Sequence, residues 1–123
     1  YALGGYDDSN VLSSVECFDP RTQTWTAAPD MTSERRGLAT AIIDGKLYAM
    51  GGYDGFISLS SVECFDPRTQ TWTAAPAMTS ERRELATAII DGKLYALGGY
   101  DGFKSLSSVE CFDPRTQTWT AAP

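Results

Sequence analysis

The sequence repeats itself every 47 residues, and that period decides what the chain can fold into. Trp25, Trp72 and Trp119 stand 47 apart, as do Cys17, Cys64 and Cys111 and the pairs Gly4-Gly5, Gly51-Gly52 and Gly98-Gly99. Residues 1–47 and 48–94 differ at seven positions, and residues 95–123 differ from 48–76 at two. A fixed period of about 20–50 residues marks a stack of like units, each burying its apolar faces against its neighbours. No low-complexity tract or linker interrupts the register.

Each unit reads as short strands. Leu38–Ile43 (strand a) and Lys46–Met50 (strand b) flank Asp44-Gly45. Asp-Gly between apolar runs is a strong hairpin signal, because a type I′ turn needs positive φ at both central residues. Val62–Asp66 (strand c) stops at Pro67, and Thr71–Ala74 (strand d) stops before Pro76; proline has no N–H to continue a ladder. No segment holds an apolar period of 3.6, so almost no helix is expected. Ala39 and Ala41 suit a strand at the crowded centre of a radial structure. Four antiparallel strands per unit specify a propeller blade rather than a helical solenoid. The expected divisions are a partial blade over 1–29, lacking strand a, and whole blades over 30–76 and 77–123, all in one propeller domain. That is about 2.6 blades, where closed propellers use ~4–8.

The diglycine after a hydrophobic strand, the Cys-Phe-Asp-Pro segment and the Trp seven residues beyond its Phe together resemble the kelch repeat. The wording around Gly51-Gly52-Tyr53-Asp54-Gly55 and Ser61-Val62-Glu63-Cys64-Phe65-Asp66-Pro67 is most similar to the kelch domains of BTB–kelch ubiquitin-ligase adaptors, though no BTB segment is present. The resemblance implies an all-β, kelch-type β-propeller that closes into a ring of about six blades. More of the same chain, or other copies of it, would complete that ring.

Strand direction places the b–c and d–a loops on one face and the tight a–b and c–d turns on the other. Six of the seven differences between the first two units fall in the first set: Asp8/Gly55, Ser9/Phe56, Asn10/Ile57, Val11/Ser58, Asp30/Ala77 and Gly37/Glu84. Variable loops on a constant scaffold are where recognition resides. The kelch resemblance implies a peptide held on this face by Arg, Ser and Tyr side chains. The matching residues are Tyr6, Tyr53 and Tyr100 after the diglycines and Arg35, Arg36, Arg82 and Arg83 in the d–a loops, with Glu84 beside them. Guanidinium forks bind carboxylates bidentately, and Glu84 opposes an acidic ligand. These charges can equally pair with one another and with neighbouring blades. Phe56, Ile57 and Phe103 are too apolar for a wet loop tip, and either contact a ligand or fold back onto the blade.

The chain contains no histidine, which excludes Ser-His-Asp triads, Cys-His dyads and histidine metal sites. The single cysteine of each unit lies a sheet spacing from the next, about 10 Å, beyond the reach of a disulfide. The three read as buried, reduced residues of a cytoplasmic protein, and the same distance rules out a shared metal. Asp7, Asp54 and Asp101 are isolated, one per blade, so no metal or cofactor is expected. A net charge of −6 argues against nucleic acid, and no apolar run reaches membrane length. The expected function is a non-catalytic platform for a protein or peptide. The alternative is a consensus or designed scaffold that self-assembles, since even the exposed Arg-Thr-Gln-Thr turns recur unchanged.

Overall fold

The computed structural model describes residues 1–123 and consists of three antiparallel sheets without a helix. The first sheet is β1 (Ala2–Leu3), β2 (Val15–Asp19) and β3 (Thr24–Ala28), in that order. The second runs β4 (Ala39–Ile43), β5 (Lys46–Met50), β6 (Val62–Asp66), β7 (Thr71–Ala75). The third repeats it with β8 (Ala86–Ile90), β9 (Lys93–Leu97), β10 (Val109–Asp113) and β11 (Thr118–Ala122). The four-stranded antiparallel blades expected from the period are present, with strand a one residue shorter and strand d one longer than the sequence suggested. No helix is long and apolar enough to cross a membrane.

The a–b turn has positive φ at both Asp44 (52°) and Gly45 (75°), as a type I′ hairpin requires, and the ladder closes at Ile43 opposite Lys46. The strands a, β4 and β8, lie side by side, and Thr87 Oγ1 donates to the Thr40 carbonyl at 3.0 Å. Met50, Phe65, Leu94, Ala96 and Phe112 are fully buried. One apolar cluster runs from Tyr48, Met50 and Val62 in the second blade to Leu94 and Phe112 in the third, so neighbouring blades share a core.

The tryptophans divide, although their local sequences are the same. Trp72 Nε1–H donates to the Pro29 carbonyl and Trp119 Nε1–H to that of Pro76, both at 2.9 Å. Each ties strand d to the preceding unit, and both rings are half-buried. Trp25 makes no such bond and is 54% exposed. The three cysteines are free, as expected, but half-buried rather than buried.

Burial, with the Cys64 thiol and the Asp44 carboxylate adding to it, pushes the Tyr48 phenol from 10.0 up to about 12. The neutral phenol is therefore favoured in the folded chain. The stability it contributes is complete below about pH 10 and is lost as pH rises to about 12, because only the unfolded chain gives up the proton in that window. Urea midpoints followed from roughly pH 9 to about 12 should fall, and Tyr48→Phe should flatten that slope. An unchanged slope in Tyr48→Phe refutes the assignment.

Candidate functional site

The b–c loops are fixed by their own aspartates. Asp54 Oδ1 accepts the backbone N–H groups of Phe56 and Ile57 at 2.8 and 2.9 Å, and Asp101 Oδ1 those of Phe103 and Lys104 at 2.8 Å each. Asp7 does the same for Ser9 and Asn10 at 3.0 and 2.8 Å. Bonds of this kind favour the charged carboxylate. The N–H of Asn10 and then that of Ser9 lower Asp7, and those of Lys104 and then Phe103 lower Asp101. The aspartates are turn residues, and no group of three or more His, Cys, Asp or Glu gathers at a metal-binding distance. At the tips they shape, Phe56 and Phe103 stand 87% and 90% exposed.

The d–a loop is inserted between two b–c loops, and its adjacent arginines serve different blades. Arg35 bonds the first blade through its backbone: its N–H donates to Leu12 O at 3.0 Å and its carbonyl accepts from Gly5 at 2.8 Å. Its side chain crosses into the second blade. There Nε and Nη2 donate to Glu63 Oε2 at 3.1 and 2.9 Å, Nη1 to the Gly51 and Ser61 carbonyls at 2.9 and 3.0 Å, and Nη2 to Ser61 Oγ at 3.0 Å. Every guanidinium donor is used. Glu63 also accepts the N–H groups of Thr32 and Ser33 at 2.7 and 3.2 Å. Arg82 repeats the pattern with Glu110, at 3.0 Å, in the third blade.

Arg35 and Arg82 are therefore not ligand-facing residues, which corrects the expectation from the sequence. Both are completely buried and fully bonded as clamps between blades. Their partners Glu63 and Glu110 were not singled out from the sequence. The signal available was a glutamate recurring beside Cys-Phe in a strand with an apolar face.

Arg36 and Arg83 go the other way. Arg36 pairs with Tyr53 through both backbone groups, at 3.0 and 2.8 Å, and Arg83 pairs with Tyr100 in the same manner at 2.9 Å. The Arg36 guanidinium lies 4.6 Å from the Tyr6 ring centroid and 5.2 Å from that of Tyr53. The Arg83 guanidinium lies 4.4 Å from Tyr53 and 4.9 Å from Tyr100. The result is an alternating row, Tyr6–Arg36–Tyr53–Arg83–Tyr100, across all three blades. Neither arginine forms an ion pair. Contacts of this type are worth about 0.5–2 kcal/mol each, more where water is excluded.

Glu84 lines a cavity of about 400 Å³ together with Tyr6, Arg36, Tyr53 and Arg83. Its N–H donates to Gly37 O at 2.7 Å. A Cβ on Gly37 would lie 2.5 Å from Glu84 Oε1, so the small residue in one unit makes room for the large one in the next. Two further grooves open between neighbouring b–c loops. Tyr6, Glu34, Arg36 and Asp54 line the first, of about 380 Å³, and Tyr53, Glu81, Arg83 and Asp101 line the second, of about 270 Å³. Phe56 and Phe103 flank the second groove. The face thus brings together all three candidate tyrosines, Arg36, Arg83, Glu84 and both phenylalanines.

The family model for the KLHDC2/KLHL20/DRC7 kelch-repeats domain matches residues 1–123. An F-box/kelch-repeat protein of Arabidopsis thaliana is 44% identical over 48 residues, which is 39% of this chain and 18% of that protein. The influenza virus NS1A-binding protein homolog of Mus musculus is 38% identical over 47 residues, 38% of this chain and 7% of that protein. Kelch-like protein 33 of Homo sapiens is 40% identical over 48 residues, 39% of this chain and 9% of that protein. Each match has the length of one unit, and the chain spans only a small part of these relatives. The solved structure of YjhT superposes with a TM-score of 0.78 at 20% identity, covering 98% of this chain and 50% of that one.

Proposed function

The chain belongs to the kelch-repeat family, and from that premise we propose that it is a non-catalytic platform binding a protein or peptide on its b–c and d–a loop face. Domains of this family are generally protein–protein interaction modules, typically without catalysis. The observation that carries the reading is the row of Tyr6, Arg36, Tyr53, Arg83 and Tyr100: two stacked guanidiniums without a carboxylate partner, at the mouth of a cavity. Aromatic and arginine side chains in such settings dominate the energetics of interfaces. The units 1–29, 30–76 and 77–123 act as one propeller domain in this proposal. The unpaired cysteines suit a reducing, cytoplasmic setting, and the net charge of −6 disfavours nucleic acid.

The test is selection of peptides from a displayed random library on the immobilised chain. Selected peptides should lose at least about tenfold in affinity, about 1.4 kcal/mol, when Arg36 and Arg83 are both replaced by Ala, measured at a temperature where the urea curve shows the double variant still folded. Peptides indifferent to that replacement, or displaced by blocking the a–b turns, refute the loop face.

The first blade leaves room for a second reading, in which the ring is closed by other copies or by more of the same chain. It has three strands, and Glu16, the counterpart of Glu63 and Glu110, is exposed without an arginine. Native mass spectrometry of the 123-residue chain separates the readings: a discrete complex supports association, and a lone 13.4 kDa species refutes it.

A further inference from the structure

The chain carries one groove twice and has changed a single wall. Tyr6, Glu34, Arg36, Asp54 and Phe56 of the first groove correspond, 47 residues on, to Tyr53, Glu81, Arg83, Asp101 and Phe103 of the second. The remaining wall is Ser9, Asn10 and Val11 in the first and Phe56, Ile57 and Ser58 in the second. Resting on the platform reading, we propose that the second groove takes a large apolar side chain from a peptide segment whose flanking residues are basic.

The apolar half of that specification comes from the wall. Phe56 and Phe103 are 87% and 90% exposed on adjacent loop tips, with Ile57 exposed between them. Two rings held in water on loops their own aspartates make rigid form a preorganised surface for an apolar group. Ser58 adds a polar handle. It is 5% exposed, and its Oγ is the one buried side-chain polar atom without a hydrogen-bond partner. The first groove has Val11 there, which needs no partner. Exchanging a valine for an unsatisfied hydroxyl weakens the free protein and is repaid when a ligand main-chain group bonds to it.

The basic half comes from charge. Asp101 is held ionised by two backbone N–H groups, and Glu81 is exposed and makes no ion pair. The single cation lining the groove, Arg83, is engaged with the rings of Tyr53 and Tyr100. Two carboxylates against that one guanidinium, which keeps its charge on the rings, leave the lining net negative and favour cationic flanks.

The test uses fluorescein-labelled peptides of one length, with Phe, Leu or Ser at the centre and either Lys or Glu on both sides, titrated by anisotropy. The Phe and Leu peptides flanked by Lys should bind at least about tenfold tighter than the Ser peptide or any Glu-flanked one. Phe103→Ser, which places at the tip the residue the first unit carries at position 9, should abolish that preference. The combined change Ser9→Phe, Asn10→Ile, Val11→Ser and Asp8→Gly should add a second equivalent site. Ser58→Val should weaken binding while raising the urea midpoint. Binding unaffected by Phe103→Ser but lost with Arg36→Ala and Arg83→Ala overturns this inference and leaves the platform standing. Preference for Glu flanks overturns it too, as does self-association of the unliganded chain that Phe103→Ser abolishes. No binding by any peptide overturns it together with the peptide reading.

Discussion

Glu63→Ala or Glu110→Ala is expected to lower the unfolding free energy by about 3–5 kcal/mol, where the whole stability of a domain is about 5–15 kcal/mol. Each carboxylate is buried against an arginine that is itself fully buried, at 2.9 and 3.0 Å. Removing it leaves a guanidinium with no counter-charge and frees two backbone N–H groups of the d–a loop at the same moment. The sequence supplies its own control. Glu16 occupies the same place in its unit but is exposed and unpaired, so Glu16→Ala should change stability by no more than about 0.5 kcal/mol. Urea denaturation followed by tryptophan fluorescence compares the three. Equal losses at positions 16 and 63 would refute the clamp. The double replacement Arg82→Met with Glu110→Leu should recover much of the single-site loss, since apolar groups of similar volume tolerate burial better than one abandoned charge.

The second large effect is at the diglycines, where three equivalent glycines should respond unequally to Ala. Gly51 has a φ of +65°, and a Cβ there would lie 2.3 Å from the Arg82 carbonyl oxygen. That oxygen already accepts the Gly52 N–H at 2.8 Å, so it cannot withdraw without releasing the loop that carries the second clamp. Gly98 has nearly the same φ, +62°, but its Cβ would meet nothing closer than Leu106 O at 3.2 Å. Gly98→Ala should therefore cost the backbone strain alone, about 1–2 kcal/mol. Gly51→Ala should cost that and the displaced loop as well, above about 3 kcal/mol. Gly4→Ala, whose Cβ would meet Arg35 O at 2.3 Å, should follow Gly51. Urea midpoints measured in parallel decide it, and equal losses at 51 and 98 would refute the steric account.

These contrasts mark where sequence reading reaches its limit. The period, the Asp44-Gly45 turn and the proline stops encode local geometry, and the strands followed to within a residue at their ends. Which loops share a face followed from strand direction alone. Arg35 and Arg36 could not be separated in that way. They are adjacent and chemically identical, yet one is buried in an ion pair while the other stacks on two tyrosines. The difference arises because an extended loop sends successive side chains to opposite sides, and only the fold says which side is another blade. Likewise Trp25 and Trp72 lie in identical segments and differ in exposure through what covers them. Ser58 reads as an ordinary loop serine until its burial is known.

The clamps also define the phase in which the repeat is self-contained. Counted from Tyr1, a 47-residue segment holds Arg35 and Glu16, halves of two different clamps that never meet. Counted from Asp30 to Pro76, it holds Arg35 and Glu63, the two halves of one. A duplication copied in the second phase inherits a blade that already carries both charges of its own attachment. One copied in the first inherits an unmatched acid at one end and an unmatched base at the other, and depends on its neighbours to neutralise both.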